Sequence, residues 1–110
     1  MAVFIKKPYI SGQIGMLSLI KRDFARKKAG RLYFLCVFPE KDSSMMEIIR
    51  GKDLHKGFYG QNYTIVGIAD GESAAMGLVH TIFADFCGDF AEFSPNDFKY
   101  FKPWILEGRR

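Results

Sequence analysis

Seven uncharged residues in a row, Tyr63-Thr64-Ile65-Val66-Gly67-Ile68-Ala69, run straight into Asp70-Gly71 and then into a helical rhythm of apolar side chains. No other stretch constrains the fold as tightly. The run is rich in β-branched residues and reads as a strand. Asp70-Gly71 turns the chain, and Asp70 is suited to cap a helix beginning at Glu72. That helix is predicted over 72–87, because Met76, Val79, Phe83 and Phe86 recur at spacings of three, four and three. The rhythm continues formally to Phe90 and Phe93, but Gly88 is expected to end the helix as its C-cap.

The other elements are placed by the same rules. Ile14, Leu17, Ile20 and Phe24 fall at helical spacing, which predicts a helix from Ser11 as N-cap to about Ala29, stopped by Gly30. A strand is predicted over 31–38, where aromatic and apolar residues crowd with little alternation, so cover on both faces is expected. Ser44-x-x-Glu47 has the form of a capping box, and with Met45, Met46, Ile48 and Ile49 it predicts a short helix. Residues 51–62, with Gly57, Gly60 and Asn62, read as loop. Val3 to Tyr9 offers a third strand, and Pro95-Asn96-Asp97 starts a last short helix or turn. Pro103-Trp104 is expected to close the ordered part, with residues 107–110 frayed. The expected class is α+β, a single domain with a small two- or three-stranded sheet packed by an N-terminal helix and a second helix at 72–87.

The 110 residues suit one domain, and 48% apolar with 25% charged residues excludes a disordered chain. No apolar run approaches the roughly 20 residues that a membrane span needs. The start, Met1-Ala2-Val3-Phe4-Ile5-Lys6-Lys7-Pro8, lacks the basic-then-apolar order of a signal peptide, so a cytoplasmic protein is expected. Cys36 and Cys87 each read as a small buried hydrophobe, with no disulfide expected between them.

Charge is sorted into blocks along the chain. The first 31 residues carry Lys6, Lys7, Lys21, Arg22, Arg26, Lys27, Lys28 and Arg31 against the one acid Asp23. From Gly57 to Phe98 no Lys or Arg occurs, while Asp70, Glu72, Asp85, Asp89, Glu92 and Asp97 are all acidic. The formal net charge of +4 conceals this separation. Such fields act on partners and association rates rather than on the fold.

Catalytic patterns fail on their own chemistry. Gly71-Glu72-Ser73-Ala74-Ala75 has a trace of a nucleophile elbow, but it lacks the second glycine, and His80 lies about 10 Å further along the same helix at ~1.5 Å per residue. A polar strand-to-helix turn accounts for the same residues. His55, His80, Cys36, Cys87 and Asp85 show no metal-ligand spacing. Ser11-Gly12-Gln13-Ile14-Gly15 lacks the lysine and hydroxyl of a phosphate loop, and no dinucleotide fingerprint occurs. No enzyme, metal or cofactor is expected.

Three surfaces are candidates for binding. Lys21, Arg22, Arg26, Lys27, Lys28 and Arg31 form a dense one-sided run, suited to phosphates with Lys6 and Lys7 extending it and Tyr33 or Phe34 near for stacking, or simply solvated. Asp85, Asp89, Glu92 and Asp97 interleave with phenylalanines, a pattern that mimics nucleic acid or docks on a basic partner. A core-facing stripe with an acidic back fits it equally. Phe98, Tyr100, Phe101 and Trp104 are hard to bury together in so small a domain, so some of them are expected to form an aromatic docking patch.

Arg31-Leu32-Tyr33-Phe34-Leu35 and the 63–71 strand and turn, followed by Ala75, Leu78, Val79, Ile82 and Asp85, resemble small uncharacterised proteins of Gram-positive gut bacteria and their mobile elements. The resemblance spans residues 31–87. This chain has Ala74, Met76, Gly77 and Thr81 where that group is richer in Glu and Arg. It implies an accessory protein of a phage or conjugative element, including inhibitors of CRISPR-type defence nucleases.

The leading expectation is therefore a non-enzymatic protein-binding module that docks stoichiometrically through a charged face. Its partner would be a protein, such as a nucleic-acid-processing enzyme. The alternative is a nucleic-acid-binding accessory protein using the basic helix. Self-association of opposite faces is a third reading.

Overall fold

The uncharged run becomes the strand around which everything else is arranged. The structure, a computed structural model, describes residues 2–11, 15–39, 46–56, 62–89 and 101–107. Along the chain come strand β1 (Ala2–Ile10), helix α1 (Leu17–Ala25), strands β2 (Tyr33–Val37) and β3 (Glu47–Arg50), helix α2 (Gly51–His55), strand β4 (Tyr63–Ala69), and helices α3 (Glu72–Asp89) and α4 (Phe101–Glu107). Among the described residues the strands form one sheet in the order β1-β4-β2-β3. β1 runs parallel to β4, and β2 runs antiparallel to both β4 and β3. The α+β class holds, with four strands rather than two or three.

Strand alternation, interrupted in β4 by a register shift opposite Leu35 and Cys36, divides the interior in two. Phe34, Cys36, Ile49, Ile65 and Ile68 point to one face of the sheet, where Leu17, Ile20 and Phe24 of α1 and Leu54 of α2 cover them. Leu35, Val37, Val66 and Ala69 point to the other, under Ala75, Leu78, Ile82 and Phe86 of α3 and Phe101, Trp104 and Ile105 of α4. Helices therefore sandwich the sheet. This explains the missing alternation in β2 and β4, since a strand covered on both faces gains from apolar residues at every position.

Several sequence expectations are corrected, each by tertiary contact. The segment at Glu47 is a strand, not a capped helix: Glu47, Ile48, Ile49 and Arg50 pair with Cys36, Leu35, Phe34 and Tyr33. The open edge of β2 offers backbone partners, and Ile48 and Ile49 each reach a different core. Ser44 lies outside the described residues. Residues 51–55, read as loop, form α2. α1 starts at Leu17 behind Met16 with no side-chain cap. Ser11 instead continues the edge of β1, its N–H donating to the Ile68 carbonyl at 3.0 Å. Gly12 and Ile14 are outside the described residues.

Helix α3 keeps its predicted start but turns by about one residue. Ala75, Leu78, Ile82 and Phe86 are buried, whereas Met76 is 49% exposed and Val79 and Phe83 flank the contact. Alanine at 75 lets the helix lie close to the sheet. Gly88 lies inside α3, which ends at Asp89. Cys87 is exposed, against expectation, while Cys36 is buried and both thiols are free. Burial, helped by the nearby Glu47 charge, pushes the Cys36 thiol far above its ordinary pKa. At α4 the helix runs through Pro103 to Glu107. Pro103 fits in its first turn, where no intrahelical N–H is required. Pro95, Asn96 and Asp97 are outside the described residues. No helix among those described is long and apolar enough to cross a membrane.

Candidate functional site

The sandwich puts the basic segments around α1 and the acidic helix α3 on opposite sides of the sheet. Residues 17–32 and 51–56, which make up α1, its connection to β2, and α2, carry Lys21, Arg22, Arg26, Lys27, Lys28, Arg31, Lys52 and Lys56. All eight are exposed. The same segments hold two acids, Asp23 and Asp53, which lie 3.6 Å from Arg22 and 3.9 Å from Lys56. On the far side of the sheet, α3 carries Glu72, Asp85 and Asp89 and no Lys or Arg.

A knot of backbone contacts holds the two cationic segments together. The Gly51 N–H donates to the Leu32 carbonyl at 2.8 Å, and the Leu32 N–H donates to the Ala29 carbonyl at 3.2 Å. The Ala29 N–H donates to His55 Nε2 at 3.1 Å. Gly30 lies against Lys52, where an added Cβ would meet the Lys52 Cβ at 3.4 Å. Beneath them, the Phe24 ring packs on Phe4, Phe34 and His55 with centroids 5.5, 5.2 and 5.2 Å apart. Lys21 Nζ stands 5.6 Å from the centre of the Phe4 ring.

The end of α1 has an unusual residue at its turning point. The Lys27 N–H donates to the Phe24 carbonyl and the Lys28 N–H to the Asp23 carbonyl, at 3.0 and 2.7 Å. That pair is the Schellman pattern of helix termination, whose left-handed position usually holds glycine. Here Lys27 occupies it, with φ 57°. Gly30, expected as the stop, comes three residues too late.

His55 is a structural histidine rather than a loop-surface one. Because Nε2 accepts a hydrogen bond, the ring is neutral with its proton on Nδ1. Burial, and then the positive charge of Lys27, hold it below its ordinary pKa of 6.5. The folded chain therefore binds fewer protons here than the unfolded chain. Its contribution to stability is complete above pH ~6.5 and is lost as pH falls through the lowered value. The groups around the ring are Lys27, Phe24 and the Ala29 amide, with Lys52 and Asp53 on its own helix and Lys56 at that helix's C-cap. Urea midpoints measured from about pH 7.5 down to about 5 should fall for the wild type. His55→Gln, which keeps an acceptor but cannot titrate, should show a shallower decline.

The remaining predicted site residues scatter. Asp85 is exposed and accepts a hydrogen bond from the Tyr9 hydroxyl at 2.6 Å. Asp89 ends α3, and Glu92 and Asp97 lie outside the described residues. Phe101 and Trp104, expected in a docking patch, are instead 0% and 7% exposed, with ring centroids 5.4 and 5.3 Å from Phe86. They belong to the core because α4 needs an apolar face to adhere to the sheet. Phe98 and Tyr100 are outside the described residues. Phe34 is fully buried, and Tyr33 packs toward α3 and α4 beneath Arg50, so neither is available for stacking beside Lys21 and Arg31. Ser73 and His80 are both exposed on α3. Among the described residues no group of three or more His, Cys, Asp or Glu gathers closely enough to hold a metal ion.

Sequence reasoning missed Lys52 and Lys56 as members of the cationic layer. The available signal was Lys52-x-x-His55-Lys56 behind Gly51, too short to register as a helix by periodicity. No family model, curated protein or solved structure matches this chain.

Proposed function

We propose that this protein is a non-enzymatic binding module that docks its cationic layer stoichiometrically on an anionic macromolecular surface. The observation that carries the reading is the assembly of eight exposed cations from two separate segments on one side of the sheet. Clustered like charge raises the local potential, steers encounter and favours a complementary surface. Surface exposure leaves these side chains free to reorient, so they give affinity without fixing a reacting atom.

The cytoplasm is the proposed setting, supported by two unpaired cysteines. A narrower version is an inhibitor of a CRISPR-type nuclease supplied by a mobile element. It draws on the sequence resemblance alone, with Asp85, Asp89, Glu92 and Asp97 competing for a basic groove. Asp85 already bonds to Tyr9, which favours the cationic side.

The test is a pulldown from nuclease-treated and untreated host lysate, eluted in rising salt. Three proteins are compared: wild type, Lys27→Glu/Lys28→Glu/Arg31→Glu, and Asp85→Asn/Glu92→Gln/Asp97→Asn. Retention should disappear in the first variant and persist in the second. The opposite pattern moves the docking face to the acidic side and revives the inhibitor version. Opposite charge on opposite sides also permits copies to stack head to tail. Light scattering at low and high salt separates that association from docking.

A further inference from the structure

Resting on the docking reading, we propose that the bound surface is the phosphate backbone of a nucleic acid duplex, held by Arg26, Lys27, Lys28, Arg31, Lys52 and Lys56. Three observations favour phosphate over an acidic protein.

The first is the character of the face. Five of its eight cations are lysine, the residue that protein–protein interfaces exclude from their centres. Such interfaces draw their affinity from aromatic or aliphatic anchors. Around the α1–β2 connection the rings of Phe24 and Phe34 lie underneath, engaged with each other and with His55. The exposed apolar residues at the start of α1, Met16 at its N-cap and Leu19, sit towards the other end, about two to three turns from Arg26 at ~3.6 residues per turn. Phosphates need no anchor, because counterion release supplies the driving force.

The second observation is Lys27 itself. A non-glycine residue in the left-handed region is held at a cost of order 1 kcal/mol. Glycine would satisfy the same Schellman pattern without it. The chain nevertheless places a cation at the apex of the turn, beside His55 and between Arg26 and Lys28. A position where fold and charge disagree suits a residue kept for contact with an anion.

The third is that, among the described residues, no aromatic ring stands exposed beside these cations. Single-stranded binders pair a basic groove with exposed rings. Tyr33 lies on the other side of the sheet and Phe34 is fully buried, so the face fits a duplex.

Fluorescence anisotropy of a labelled mixed-sequence DNA duplex, across a sodium chloride series, tests the proposal, with the unpaired strand and labelled polyglutamate as parallel probes. Engagement of about six phosphates, one per cation, predicts a slope of log K against log[salt] near −5.4. Lys27→Gly should weaken that slope by about 0.9 while leaving the melting temperature equal or higher. Lys52→Gln/Lys56→Gln, on the other segment, should weaken it by about 1.8. Slopes unchanged by both substitutions overturn the site. Equal binding of the unpaired strand overturns the duplex assignment. Polyglutamate binding as tightly as DNA overturns the nucleic-acid partner but leaves docking intact; failure of every probe overturns the duplex proposal, and loss of retention in the lysate pulldown as well removes the docking reading.

Discussion

Gly51→Ala should destabilise the fold by about 3 kcal/mol, at the upper end of what overpacking usually costs. A methyl group at this position would overlap the Ala29 carbonyl oxygen, and it would lie 2.9 Å from that carbonyl's carbon and 3.0 Å from Phe34 Cε2. Flexible side chains can retreat from such a contact, but here the obstacle is backbone. That backbone is tied on both sides, since the Ala29 carbonyl accepts from Leu32 and the Ala29 amide donates to His55. Relief would require moving the α1–β2 connection away from α2, which separates the cationic segments as well. Urea unfolding of Gly51→Ala beside Gly77→Ala provides the comparison. Gly77 lies on α3 with no atom within 4 Å of an added Cβ. Alanine there should leave stability unchanged or raise it by a few tenths of a kcal/mol, by restricting the unfolded chain. Equal midpoints for Gly51→Ala and the wild type would mean that α2 does not press against Ala29.

Phe86→Ala should cost about 3 to 5 kcal/mol, the range for removing a buried phenylalanine. Its ring is fully buried and meets Phe101 edge-on, with centroids 5.4 Å apart, and Trp104 at 5.3 Å. Phe101 and Trp104 lie within α4, which also reaches across to the far strand end, where Lys102 Nζ donates to the Phe38 carbonyl at 3.0 Å. Loss of Phe86 therefore removes the ring that joins α3 to α4. The chain has a single tryptophan, so its emission, excited selectively over tyrosine, reports on the surroundings of Trp104. Its emission should shift to the red in Phe86→Ala under native conditions. An unshifted spectrum and an unchanged urea midpoint would contradict the packing of α4 on the sheet.

Local sequence was most informative where the chain's own pattern and its neighbours agreed. The strand at Tyr63–Ala69 and the start of α3 behind Asp70-Gly71 come from composition and turn chemistry, and the sheet adds only their partners. Where local preference and tertiary demand differed, the pattern misled. Ser44-x-x-Glu47 has the form of a helix start, but a capping box contributes little beside strand pairing: pairing of Glu47–Arg50 with β2 buries Ile49 and partly buries Ile48. The apolar stripe of α3 agrees with its spacing at Phe86 but lies about one residue earlier at Ala75, Leu78 and Ile82, because periodicity gives spacing and not the direction of the sheet. Phe101, Trp104 and Ile105 fall at helical spacing, but their burial against Phe86 becomes visible only once α4 folds back.

What this sequence determined by itself is the α+β class, the central strand, the helix immediately after it and the separation of charge into basic and acidic blocks. Those properties depend on residues close together in the chain. Tertiary structure alone decided that the cations of α1 and its connection and the acids of α3 lie on opposite sides of a four-stranded sheet, and that Lys52 and Lys56 join Lys21 to Arg31. The reason is physical: a charge pattern carries no information on which face of a sheet a helix covers. That choice was made by which apolar side chains each strand turned toward it, and by Gly51 letting the Ala29 carbonyl approach.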